Sequence, residues 1–171
     1  MYVRISRAQS MQLPFFSVSV RKLVVMHVVT FGLYQAYWFY RHWIAVRNFN
    51  QIYISAAART VVSPVFAFGL FKRILDTSRF SPATSLGFSA VLGGVLLLSS
   101  VASHLPPPFL WIALLSVVPM VPMQVLANRA NFSVDPLQAV NAKLSRLNWV
   151  AVVFGGTAVL LVTVGVMASG R

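Results

Sequence analysis

A chain of 171 residues that is 58% hydrophobic and only 9% charged is too poor in charge for a soluble globular domain, about a quarter of which is charged. Fourteen Lys and Arg stand against two acidic residues, both Asp, giving a formal charge of +12. These cations lie between apolar runs rather than on one contiguous surface, which argues against nucleic acid and for loops facing anionic headgroups. The absence of cysteine excludes disulfides, Cys-ligated zinc, iron–sulfur clusters and thiol catalysis together.

Residues 1–20 read as an N-terminal cytoplasmic tail, with Met1–Ser10 expected to be disordered. Arg4 and Arg7 are followed by no long apolar run before Arg21-Lys22, so a cleaved signal peptide is not expected. Pro14–Val20 alternates apolar residues with Ser, a short extended or interfacial lead-in. Arg21–Asn50 opens as an apolar helix and breaks at Thr30-Phe31-Gly32. It resumes as a belt of Tyr34, Tyr37, Trp38, Phe39, Tyr40 and Trp43, residue types at home at a membrane–water interface. Two geometries fit. A broken, re-entrant helix keeps Arg21, Lys22, Arg41 and Arg47 on one side, with Thr30 capping the second limb. One continuous span over Leu23–Tyr40 splits those charges between compartments, against the bias of basic residues to the cytoplasm.

Ser55–Leu75 is either a second crossing or an interfacial helix, with Ser63-Pro64 marking a helix start and Lys72-Arg73 near its end. Ala83–Val101 and Phe109–Ala127 are predicted spans joined by the uncharged turn Ser103–Pro108, which reads as non-cytoplasmic. Pro119 and Pro122 are expected to kink the second of them. Residues 128–147 read as a polar cytoplasmic loop, partly helical after Asp135-Pro136, and Asn148–Ala168 as the last span with Trp149 at the interface. Three parts result: 1–20, the tail; 21–82, the broken helix plus a short amphipathic or spanning helix; 83–171, three transmembrane helices.

Thr30–Trp43 (TFGLYQAYWFYRHW), Ser63–Ile74 (SPVFAFGLFKRI) and Asn141–Gly156 (NAKLSRLNWVAVVFGG) together resemble a family of small uncharacterised inner-membrane proteins of proteobacteria. The resemblance covers most of the chain from Pro14 onward. Its first motif is also similar to the T-x-G-x-Y-x-x-Y-W-F core of a broader bacterial domain family of unknown function. It implies an inner-membrane location and assigns no activity to any residue.

Chemistry-bearing constellations are sparse. Asp76 and Asp135 both fall in expected loops, so neither a proton-coupled carrier nor a paired-carboxylate hydrolase has its groups; Asp135 reads as an N-cap before Pro136. His27, His42 and His104 fall at different depths and read as packed or interfacial side chains; His27 is the one able to complete a site shared with another subunit. No nucleophile motif or phosphate-cradling loop is present. Two patterns remain. Ser85, Ser89 and Gly93, with Ala151 and Gly155, put small residues at four-residue spacing, which lets helices approach closely, within the chain or against a partner. Arg41, Arg47, Lys72, Arg73 and Arg79, interleaved with aromatics, suit an anionic-lipid headgroup site or simply set topology.

The expectation is an all-α polytopic membrane protein with three to five transmembrane helices and its N-terminus in the bacterial cytoplasm. It would be a non-catalytic accessory or scaffold protein without cofactors, contacting membrane lipids and a membrane-protein partner or a second copy of itself. The alternative is a small transporter or channel, for which Gln124, Thr157 and Thr163 are the available polar residues.

Overall fold

The computed structural model describes residues 12–102 and 114–169. Most of these residues are helical, and among them no strand forms; an isolated parallel bridge joins Val18 to Asn141. Helix α1 (Val20–Val29) starts at Ser19, whose hydroxyl accepts from Lys22 N at 3.2 Å. It stops where expected. Phe31 and Gly32 take φ of +48° and +86°, and Thr30 ties the corner from both sides. Its hydroxyl donates to Met26 O at 2.7 Å and accepts from Tyr34 N at 2.9 Å, so it partners the first amide of the next helix although Leu33 holds the N-cap position. At 1.5 Å per residue α1 is about 15 Å long, half a hydrocarbon core of roughly 30 Å.

Helix α2 (Tyr34–Asn50) splits the aromatic belt in two. Trp38, Phe39, His42, Trp43 and Val46 repeat at helical spacing and are buried, while Tyr37, Tyr40, Arg41 and Arg47 face outward. Trp38, Phe39 and Trp43 are therefore core, not interface: the amphipathic period outweighs the preference of Trp for a boundary. The segment over 55–75 divides into α3 (Ala56–Val61) and α4 (Ser63–Thr77), parting at Val62 where Ser63-Pro64 opens the second helix. Asp76 belongs to the last turn of α4 rather than to a loop.

Helix α5 (Pro82–Ala102) follows a four-residue connection and folds back on α4. A 3-10 turn (Leu114–Ser116) leads into α6 (Val117–Val134). Pro119 lies in the first turn of α6, where no intrahelical bond is lost, so Pro122 alone stands inside the helix. The helix continues through Asn128 to Val134, seven residues into the expected loop, because Asn128 and Asn131 find partners inside the protein. Asp135 is its C-cap, and its carboxylate accepts from Leu137 N at 3.0 Å instead of capping a following helix. Residues 135–145 form turns, and α7 (Arg146–Ser169) closes the chain. The Ser103–Pro108 turn and the start of the Phe109–Ala127 segment lie outside the described residues, as does Met1–Ser10.

Helix α1 lies between α6 and α7, and α2 crosses α4 at the Phe71 ring. The core sits where α1, α2, α4 and α6 meet, around Leu23, Trp38, Phe39, Trp43, Leu70, Phe71, Ile74, Met120 and Met123. Phe15, Phe16 and Val18 are buried in it, so the extended lead-in is structural rather than part of a tail. Among the described residues two helices, α5 and α7, are long and apolar enough to cross a membrane. No described side chain of α7 is buried.

Candidate functional site

Gln124, Asn128 and Asn131 lie four and three residues apart on α6 and so share one face. That face meets Phe15–Val18, a non-helical segment whose buried backbone groups need partners. The side-chain amides supply them. Asn131 accepts from Phe15 N at 3.0 Å and donates to Phe15 O at 2.8 Å. Gln124 Nε2 donates to Phe16 O at 3.0 Å, and Asn128 Nδ2 to Val18 O at 2.9 Å. The other end of Gln124 is as fully used: Oε1 accepts from Trp38 Nε1 at 2.6 Å and lies 3.2 Å from His42 Nε2. Indole N–H only donates, which fixes the amide orientation, and His42 must then carry its proton on Nε2.

The histidines do not converge. His42 is buried against Phe15, Phe16 and Trp38, whereas His27 Nε2 lies 3.1 Å from Ser116 Oγ at the far end of α1. His104 lies outside the described residues. Among the described residues no three of His, Cys, Asp and Glu gather as metal ligands would.

The basic residues singled out from sequence have different surroundings. Arg41 stacks over Phe16 and Tyr37, 4.8 and 5.7 Å from the ring centroids, and donates to Tyr37 Oη at 2.8 Å. Arg47 bonds Asn48 Oδ1 at 3.2 Å, on the other side of Gln12. Lys72 is paired with Asp76 at 2.6 Å, and that hydrogen bond holds the exposed Asp76 carboxyl below its ordinary value. Arg73 lines a cleft beside Asp76 with Phe49 and Val134, and Arg79 stands exposed in the α4–α5 turn at φ +64°. Arg59 lies 4.4 Å from the centroid of Trp43.

The small residues act within the chain. Ser85, Ser89 and Gly93 are buried on the α4 side of α5, and a Cβ on Gly93 would come within 2.6 Å of the Phe68 ring. Gly155 brings α7 so close to α1 that a Cβ there would run into the carbonyl of Val29. Ala151 packs on the core one turn earlier. Sequence reasoning missed Asn128 and Asn131 by placing them in a loop; the signal available was the four-and-three spacing of three amides running on from an apolar segment. No family model, curated protein or solved structure matches the chain.

Proposed function

We propose that this chain is a non-catalytic integral membrane protein that packs against another membrane protein and touches anionic lipid at its basic end. The observation that carries the reading is α7. A 24-residue apolar helix touches the rest of the molecule mainly along α1 and leaves Phe154, Leu160, Leu161 and Val164 exposed. An apolar surface of that extent calls for lipid, protein or both.

The re-entrant form of Arg21–Asn50 belongs to the same reading. Val29 meets Gly155 about 14 Å along α7 from Arg146 at 1.5 Å per residue. If α7 crosses from Arg146, the corner at Thr30–Gly32 lies near mid-bilayer, and Arg21, Arg41 and Arg47 stay together at the cytoplasmic face. A pore is less well supported, since Gln124 is spent on the Phe16 carbonyl, Trp38 and His42. The Thr157 and Thr163 hydroxyls donate to their own helix's carbonyls at 2.8 and 2.7 Å. The inner membrane of bacteria is the location that the motif resemblance implies.

A photo-crosslinking residue at Leu160 in native membranes tests the scaffold. A discrete protein adduct is expected, at twice the chain's mass if the partner is a second copy. Adducts to lipid alone would overturn it.

A further inference from the structure

A cleft of about 400 Å³ opens between α1, α2 and the start of α7, lined by Lys22, Met26, Tyr34, Tyr37, Lys143 and Asn148, among others. Lys22 is only 7% exposed, yet among the described residues no carboxylate answers its charge. Its ammonium donates to Asn141 Oδ1 at 2.9 Å and Lys143 O at 2.8 Å, which satisfies two of three protons with neutral acceptors. Neither aspartate serves it: Asp76 pairs with Lys72, and Asp135 accepts from Leu137 N. Buried charges are ordinarily paired, so an unanswered one marks a place for an anion.

Three further features face the same space. Tyr34 is 6% exposed, and its buried hydroxyl has no partner among the described residues. Tyr37, which lines the cleft, accepts from Arg41 at 2.8 Å through its hydroxyl. Helix α7 begins at this cleft with no acidic residue in its first turn, so its dipole adds to the positive potential. Met26 and Leu147 supply apolar lining beside the charges.

We infer that the Lys22–Tyr34–Lys143 cleft binds a phosphate-bearing anion, with the headgroup of an acidic phospholipid as its occupant. This rests on the reading that the chain touches anionic lipid, and it moves the specific site away from Arg47, Lys72, Arg73 and Arg79. The phosphate oxygens take the third Lys22 proton and the Tyr34 hydroxyl proton, and the acyl chains run out along the exposed side of α7. Free phosphate offers the same chemistry, so the source has to be separated by experiment.

The test uses the full chain in neutral detergent, titrated with short-chain phosphatidylglycerol or with inorganic phosphate, followed by native mass spectrometry and Tm. Saturable phosphatidylglycerol binding that raises Tm is expected. Tyr34→Phe should fold at least as stably as the parent without lipid, since it removes an unpartnered hydroxyl. It should weaken binding about tenfold or more, the worth of one hydrogen bond to a charged group. Lys143→Ala should weaken it similarly, whereas Arg47→Ala, with the same loss of charge, should leave it within about twofold, as a surface charge pair would. Equal binding by parent, Tyr34→Phe and Lys143→Ala would overturn the site while leaving diffuse contact with anionic lipid standing. Binding of neither phosphatidylglycerol nor inorganic phosphate by any form would overturn both. Binding of inorganic phosphate alone, lost in Tyr34→Phe, would keep the anion site and refute the lipid.

Discussion

The Gln124 amide serves Trp38, His42, Phe16 and Asn128 at once in a region closed to water. Gln124→Leu keeps the volume but leaves the indole N–H, an imidazole N–H and a backbone carbonyl without partners. Each buried orphan costs about 1–3 kcal/mol, so the substitution should destabilise by several kcal/mol, well beyond the ~1 kcal/mol of an ordinary mutation. Trp38→His, Phe or Leu changes would also empty core volume and confuse the reading, so Gln124 is the cleaner site. Denaturant unfolding in detergent measures the loss; a Gln124→Leu variant as stable as its parent would show that the network is dispensable.

At the scale of elements, the broken helix and the close α1–α7 contact rest on single glycines. Gly32 turns the corner at φ +86°, where a side chain is strained, and Gly155 lets α7 approach the backbone of Val29. Gly155→Leu has no room and should push α7 off α1, lowering Tm. Gly156→Leu, one position on, meets open space and should keep the parent's Tm. Equal losses in both variants would mean that leucine harms α7 for reasons other than this contact. The break itself was legible, because Thr-Phe-Gly interrupts an apolar run with a residue that turns and one that caps. The use of Gly155 was legible as a small residue at packing spacing, but its partner was not, since spacing carries no information about which helix lies opposite.

For the whole molecule, the proposed topology keeps both ends of the broken helix on the cytoplasmic side. With no cysteine in the chain, a single cysteine at Asn48, on the exposed side of α2, reports without background. In intact spheroplasts it should resist an impermeant reagent applied from the periplasm and label after lysis, like one at Ser133. Labelling at Asn48 from outside would establish a crossing and refute the re-entrant arrangement. The expected opposite-side control, Ser103, lies outside the described residues.

The sequence alone determined that this chain is helical, poor in charge, and built of apolar runs separated by cations. It also located the corner at Thr30–Gly32, the start at Ser63-Pro64 and the two long apolar helices, because these depend on local backbone preference and on period. Tertiary structure decided the rest. Trp38 and Trp43 became core instead of interface, and α6 continued through Asn128 to Val134. Phe15–Val18 became an internal segment held by side-chain amides, and Lys22 came to lie buried beside Tyr34 and Lys143. Each of those outcomes depends on what a residue meets from more than a hundred positions away or across a helix pair. A polar side chain reads as loop from its own neighbours and becomes core only when a distant backbone supplies its hydrogen bonds.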